Sequence, residues 1–307
     1  MTTGHGLAGH GPAGHRPTRP VVVVGDVGLD VITRPSGDIR WHSDTPSAVA
    51  LVPGGAGGNS ASWLAGLGAE VTLVARVGDD AAGTACRAEL EAAGVTCAFA
   101  VDPALPTCMV VILLDAHGDR TMFPDRGANR AFSVVDVDLA SLGLPLDPRP
   151  HLHLSGYVLF DAGSRAAGLE SLRQARELGW TTSVDPQSPA LIEREGVSAF
   201  LSWVSGVDLL LPNENEVVAL GGLEAVLEHA REVVATYGAA GARWVGADVD
   251  ESAEAPFVDN VDATGCGDAF NAGLLSAWLR GEDRSSALRA GVAAGSAAAA
   301  RVGARPS

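Results

Sequence analysis

Short apolar runs that stop at polar turns, with helical stretches between them, constrain this chain more than any other feature. Val21–Val24 stops at Gly25-Asp26 and Leu209–Leu211 at Pro212-Asn213, and the more polar strand Trp180–Val184 ends likewise at Asp185-Pro186. A continuous apolar run of this length suits a strand buried on both faces. Strands joined through helical stretches, such as those near Ala81–Ala93 and Ser164–Leu178, pair mainly in parallel with helices on both faces of the sheet. The predicted fold class is α/β. At 307 residues the chain is long for one small domain and short for two full ones, which predicts one large core with a smaller appendage.

The appendage has its own signature. Residues 32–53 hold Pro35, Gly37, Trp41 and Pro46 before the apolar stretch Ala48–Val52. Residues 107–129 hold Met109–Leu114 and Arg120–Phe123 around Asp115-Ala116-His117-Gly118-Asp119, a hairpin with a longer turn. Neither segment carries the helix that a βαβ unit needs. The two are expected to pair as a small sheet covering a site, a lid inserted into a domain that spans residues 20–307. Residues 1–19, rich in Gly, His, Pro and Thr, are expected to form a disordered tail with solvated His5, His10 and His15. His151 and His153, in an alternating strand, are assigned to packing.

Charge narrows the partners. A net charge of −16 argues against nonspecific attachment to nucleic acid or to an anionic membrane surface. All 21 basic residues are arginine, so Schiff-base chemistry and the lysine of a Walker loop or of a protein kinase are excluded. Any grip on phosphate must use backbone N–H groups, arginine or metal. Cys86, Cys97, Cys108 and Cys266 show no paired spacing and read as free thiols in a reducing cytosol. No apolar run approaches the roughly 20 residues of a membrane span and no leader pattern is present, so the expected location is cytoplasmic.

One stretch offers chemistry directly. Val261-Asp262-Ala263-Thr264-Gly265-Cys266-Gly267-Asp268 runs into the helical pattern of Leu274, Leu275, Trp278 and Leu279. Glycines at 265 and 267 let a charged group approach the backbone, and successive N–H groups at a helix start form an anion receptor. Asp268 sits in the first turn, where the helix dipole favours the carboxylate, beside a cradle for developing negative charge. Cys266 at this position is expected to be reactive toward alkylating reagents.

Weaker signals stand elsewhere. Asp30 follows the first strand closely and either contacts a ligand or satisfies a turn. In Gly54-Gly55-Ala56-Gly57-Gly58-Asn59 the glycines fit a dinucleotide fingerprint poorly, and Asn59 can cap a helix or hydrogen-bond a hydroxyl. Asn213 and Glu216, three apart, suit Mg²⁺ through its waters or an ordinary capping box. Thr236-Tyr237-Gly238, with Gly241, can hold nucleotide phosphates or simply turn a hairpin.

These motifs occur in the order shown by the ribokinase-like carbohydrate kinases, the PfkB family, which the chain resembles from Val21 onward. The resemblance rests on the glycine pair with Asn59, Asn213-x-x-Glu216, Thr236-x-Gly238-x-x-Gly241 and Asp262-x-Thr264-Gly265-x-Gly267-Asp268. It implies a three-layer α/β/α fold with a small β-sheet lid, and transfer of the γ-phosphoryl group of ATP to a hydroxyl of a small sugar or sugar acid of the ribose, fructose or 2-keto-3-deoxygluconate type. Asp268 would be the general base, with the backbone of Gly265, Cys266 and Gly267 as the anion hole. Asp30, Gly55 and Asn59 would bind sugar hydroxyls, and Thr236, Gly238 and Gly241 the nucleotide. Asn213 and Glu216 would organise Mg²⁺, and Asp262 and Thr264 a K⁺ ion. A homodimer through the lid is common in that family. The alternatives are a nucleoside kinase of the same fold and a nonenzymatic sugar sensor. Ala263, Cys266, Tyr237 and Gln187 depart from the usual threonine, alanine, leucine and asparagine. Arg126, at the end of the lid hairpin, is read as a surface residue that could reach an acidic substrate.

Overall fold

A computed structural model of the chain describes residues 18–114, 120–259 and 261–306. The N-terminal histidines and the hairpin turn 115–119 lie outside these residues. The four valines of β1 (Val21–Val24) are wholly buried and form the centre of the fold. Their side chains alternate, so Val21 and Val23 enter one apolar core while Val22 and Val24 enter another on the opposite face.

Around β1 a nine-stranded sheet assembles. Parallel strands β4 (Val71–Gly78) and β5 (Val95–Asp102) extend it on one side. On the other side, β8 (His151–Ser155), β9 (Thr181–Asp185), β10 (Val207–Leu210) and β11 (Ala230–Thr236) follow in parallel, closed by antiparallel β12 (Ala242–Gly246) and β13 (Val249–Ala253). Helices α1 (Ala56–Gly66), α2 (Ala81–Ala92), α9 (Cys266–Leu279) and α10 (Arg284–Ala299) cover one face. The opposite face carries α3 (Tyr157–Phe160), α4 (Arg165–Glu177), α5 (Pro189–Glu195), α6 (Val197–Val204), α7 (Glu214–Ala219) and α8 (Leu223–Leu227). This is the α/β architecture expected from the strand and helix alternation.

The remaining strands form a separate four-stranded sheet in the order β3-β2-β6-β7, with β2 at Gly28–Pro35, β3 at Ser47–Gly54, β6 at Cys108–Leu114 and β7 at Arg120–Asp125. Both predicted segments are in it, joined by the parallel pairing of β2 with β6. It begins at Gly28 rather than near residue 32, so Asp30 stands on a strand of the small sheet and not in the turn after β1. Past β7 the chain leaves the sheet for a 3₁₀ turn at Gly127–Ala131. Each outer strand carries a proline, Pro53 in β3 and Pro124 in β7, at the edges where a missing N–H costs no ladder bond.

Side-chain parity gives the small sheet two unlike faces. Asp30, Val110 and Pro124 are cross-strand partners on one face, as are Ile32, Ile112 and Met122. On the other face the row Leu51, Val31, Val111, Phe123 crosses all four strands. Leu51 and Phe123 are 66% and 57% exposed, which leaves this apolar row largely in water.

Close packing elsewhere depends on small residues. The alanine-rich α10 lies against α9 so tightly that a Cβ on Gly273 would stand 2.6 Å from the Ala290 carbonyl oxygen. His151 and His153 are buried, their rings bonded to Thr181 and Ser183 at 2.8 Å, and burial holds their pKa values down, so they pack as expected. All four cysteines are free, and no helix of the described residues is long and apolar enough to cross a membrane.

The carboxyl end of β1 reaches the start of α1 through a glycine contact, since a Cβ on Gly25 would lie 2.6 Å from the Gly57 Cα. Gly25→Ala is therefore expected to lose about 1–3 kcal/mol of stability through overpacking, read from urea unfolding with the thiols reduced. Gly37→Ala, where a Cβ meets nothing within 4 Å, is the matched control and should unfold like the parent.

Candidate active site

Because neighbouring strands run parallel, their carboxyl ends set polar residues side by side along one edge of the large sheet. Thr236 ends β11, Asn213 follows β10, Asp185 ends β9, Ser155 ends β8 and Asp26 follows β1. Asn213 bridges directly to Thr236. The N-terminus of α9 meets this edge: Asn271 donates to Asp185 at 2.7 Å, and Asp268 receives hydrogen bonds from Ser60 Oγ at 2.9 Å and Asn59 Nδ2 at 3.2 Å.

Beneath the small sheet lies a cavity of about 360 Å³, floored by Asp26, Gly55, Asn59, Gly265 and Asp268. Asp30, Val110, Ile112, Met122 and Pro124, from the sheet's inner face, line its roof, and Tyr157, Phe160 and Leu191 form an apolar side wall. The sequence-predicted residues Asp30, Gly55, Asn59, Thr264, Gly265 and Asp268 thus meet around one space. Thr236, Gly238 and Gly241 do not line it. They form the tight β11–β12 connection beside Asn213, with φ of +55° at Gly238 and +96° at Gly241, where glycine is needed.

Asp268 is 8% exposed. Burial pushes its pKa up to about 7, against the hydrogen bonds from Ser60 and Asn59, with nearby Asp26 raising it and Arg305 lowering it. Asp30 is likewise raised by burial, to about 6, and its carboxylate makes no hydrogen bond among the described residues. Gly265 adopts φ +73° at the α9 N-cap, and a Cβ there would fall on the Ala304 backbone. At Gly267 a Cβ would meet nothing within 4 Å, which leaves room for an incoming group beside the start of α9, where the Cys266 N–H already donates to the Ala263 carbonyl at 3.4 Å. The buried Asp268 carboxyl thus lies in the first turn of α9, beside the Gly265 N-cap.

Two open alternatives narrow and two expectations change. Asn59 is not a cap: α1 begins at Ala56, and the Asp26 carboxylate takes the Ala56 and Gly57 N–H groups at 3.3 and 3.4 Å. Asn213 and Glu216 do form the reciprocal capping box, with Glu216 accepting from the Asn213 N–H at 2.9 Å and from its amide at 2.8 Å. Cys266 is half-buried and its thiol faces the Asp262 carbonyl at 3.7 Å. Burial and the Asp262 charge raise its pKa, which opposes the thiolate that the helix dipole would favour. Arg126 is no surface residue. It lines the cavity, pairs with Asp161 at 3.0 Å and Asp26 at 3.4 Å, and lies over the Tyr157 ring.

Asp262 and Thr264 are also occupied differently. The Asp262 carboxylate accepts from the Thr264 N–H at 2.7 Å, from its hydroxyl at 2.6 Å and from the Gly303 N–H at 3.1 Å, and pairs with Arg120 of β7. Burial opposes ionisation there, yet these donors hold the pKa at about 2. A carboxylate saturated by donors and a guanidinium does not fit a K⁺ cradle, which requires free oxygens.

Sequence reasoning missed Asp26, Asp185, Tyr157 and Arg305. Asp26 and Asp185 each stand just after a buried strand, which was signal enough. Asp185 is raised well above a normal carboxyl by burial and by the charges of Glu216 and Asp268, and burial raises Glu216 to about 7. Tyr157 reaches the cavity only because α3 folds back beside it, and Arg305 carries no local pattern at all.

Asp268 sets a stability test. Its carboxyl titrates at 3.8 ordinarily and at about 7 in the folded chain, so between these values the folded state binds more protons. This contribution stabilises at acid pH and is lost as pH rises toward 7. The Tm of Asp268→Asn minus that of the parent should therefore increase from pH 5 to pH 8 in a thermal-shift series; a difference independent of pH would contradict the buried, proton-retaining carboxyl.

Comparison with known proteins gives one answer. The family model described as pfkB family carbohydrate kinase matches residues 18–307. An ATP-dependent ribose-1-phosphate kinase of Halopiger xanaduensis is 32% identical over 262 residues, covering 82% of each chain. A fructokinase of Vibrio alginolyticus is 28% identical over 277 residues, 86% of this chain and 85% of its own. Among solved structures, a putative ribokinase II of E. coli in complex with ATP and Mg²⁺ superposes with a TM-score of 0.82 at 24% identity, over 93% of this chain and 94% of its own.

Proposed function

We propose, from the premise that this chain belongs to the pfkB family of carbohydrate kinases and is a phosphotransferase acting on a sugar hydroxyl, that it uses ATP and that Asp268 is the general base. The observation that carries the reading is a buried carboxyl with a pKa of about 7 at the foot of a cavity roofed by the small sheet, next to the backbone of the α9 start. A base poised near the working pH is best matched to take a hydroxyl proton as the bond to phosphorus forms. The amides of Gly265, Cys266 and Gly267 stabilise negative charge on the transferred phosphoryl oxygens. Most of the remaining acceleration comes from positioning.

Asp30, Gly55 and Asn59 hold the acceptor's hydroxyls, Asp30 with a carboxylate that the fold leaves unspent. The nucleotide lies on the other side of α9, along Thr236, Gly238 and Gly241. Asp185 and Glu216 fit Mg²⁺. They are two hard oxygen donors whose pKa values are raised, and a divalent cation offsets that unfavourable negative charge. Glu216 already accepts two hydrogen bonds from Asn213, so it would hold the ion through water on its remaining lone pairs. When bound, Mg²⁺ neutralises charge on the phosphate oxygens. K⁺ has no part in the proposal, because Arg120 takes the place at Asp262.

The small sheet acts as the lid of the acceptor site, its inner face roofing the cavity. Its outer apolar row supports a homodimer that buries Leu51, Val111 and Phe123. Light scattering is expected to report a dimer, and Val111→Arg a monomer; a monomeric parent would sink the dimer. A second reading, a nucleoside kinase, has a specific observation in its favour. The cavity falls within the roughly 300–1,000 Å³ that encloses drug-sized molecules, and its apolar wall of Tyr157, Phe160 and Leu191 suits a planar aglycone. Beside it the amide Nε2 of Gln187 is buried without a partner among the described residues, a donor for a ring nitrogen or carbonyl.

An ADP-release assay with ribose, fructose, 2-keto-3-deoxygluconate and adenosine separates these readings. Turnover should rise with pH through about 7, following the carboxyl of Asp268. Asp268→Asn should lose about 10²–10⁴-fold in kcat, the usual contribution of general-base catalysis. No turnover of any compound, with a sugar still raising Tm, would leave a sugar sensor instead.

A further inference from the structure

The segment 303–305 runs between the two glycine loops of the site. Gly303 donates to Asp262, and the Ala304 carbonyl accepts from the Trp63 indole at 2.9 Å. Arg305 then turns its side chain inward against α1, where it is only 6% exposed. Its Nη2 donates to the Gly54 carbonyl at 2.8 Å, its Nη1 pairs with Glu89 of α2, and its Nε donates to Asn59 Oδ1 at 3.1 Å. A Cβ on Gly58 would fall on the guanidinium, so glycine at that position is what admits it.

A guanidinium can only donate, whereas an amide presents an acceptor on one side and donors on the other. With Oδ1 of Asn59 committed to Arg305, its NH₂ must face Asp268, as the Nδ2 to Oδ2 bond of 3.2 Å records. We propose that Arg305 is a positioning residue: by fixing the orientation of the Asn59 amide it keeps a donor, never an acceptor, against the carboxylate of Asp268. The inference rests on Asp268 being the base. If Arg305 is removed, the amide is free to turn its oxygen toward Asp268, which opposes ionisation and leaves the carboxyl protonated to higher pH. The guanidinium charge acts in the same direction on Asp268 and on Asp30. Asp26 beyond β1, Asp185 on β9, Tyr157 on α3 and Cys266 on α9 also face Asp268, and a change at position 305 leaves all four in place.

The test measures kcat/KM against pH by ADP release, in the full chain, with whichever of ribose, fructose or adenosine the parent phosphorylates. Arg305→Gln, Asn59→Ala and the double variant are compared after thermal melts confirm folding. Arg305→Gln is expected to move the acid limb up by about 1 unit and to slow turnover near pH 7 about tenfold, with KM for ATP unchanged. In the Asn59→Ala background the same substitution should add clearly less, leaving only the direct effect of the lost guanidinium charge, because the route through the amide is already cut. Arg305→Lys, which keeps the charge, is read the same way should the glutamine variant fail to fold; its acid limb should move less and again stay still when residue 59 is alanine. Losses that multiply in full in the double variants, or an acid limb unmoved in a folded Arg305 variant, overturn this inference alone. An Asp268→Asn chain with parental turnover removes the base and overturns both readings.

Discussion

A carboxyl group stays inside a protein only where neighbours donate hydrogen bonds to it or where it can keep its proton, and the site of this kinase is built at the balance of the two. Ser60 and Asn59 supply the donors at Asp268, while burial pulls the other way and leaves the group near neutrality. The rest of the architecture serves this balance. β1 places Asp26 to cap α1, α1 places the two donors, and α9 brings the carboxylate to them in its first turn. Each element arrives by close backbone approach, through Gly25 against Gly57 and Gly265 against Ala304. Small residues in these places set the scale of the whole site.

Much of this was legible before any coordinates. Periodicity found the parallel sheet because a strand buried on both faces must be apolar throughout, as Val21–Val24 is. The small sheet was visible as two stretches lacking a helix, and the Asp262–Asp268 motif was legible locally, since a carboxyl group and a glycine-flanked helix start there share a single turn. What escaped was everything set by distant pairing. Asp30 was left open between a ligand contact and a local turn because nothing in its neighbours says that β2 pairs with β3 and β6. Asn59 was ambiguous because the helix boundary that excludes it from capping is fixed by Asp26, about thirty residues earlier.

Charged residues were the hardest to place. Arg126 resembles any surface arginine in sequence, yet its partners Asp26 and Asp161 lie on elements far along the chain. Arg305 and Arg120 show the same limit: each reaches a carboxylate or amide more than a hundred residues away. In a chain with no lysine, these guanidiniums supply both charge and directional donors at the interior positions. Planar forks of this kind fix the geometry of what they touch, where an ammonium would supply charge alone.

The prolines of the small sheet limit how two molecules can meet. Pro53 and Pro124 sit on its two border strands, and a proline offers no hydrogen to a strand arriving from outside. Lateral growth of the sheet into a continuous ribbon shared by two chains is therefore blocked at both margins. In the dimer proposed above, contact would fall to the broad greasy side, with two subunits stacked flat on one another like cupped palms and each active chamber kept to its own subunit.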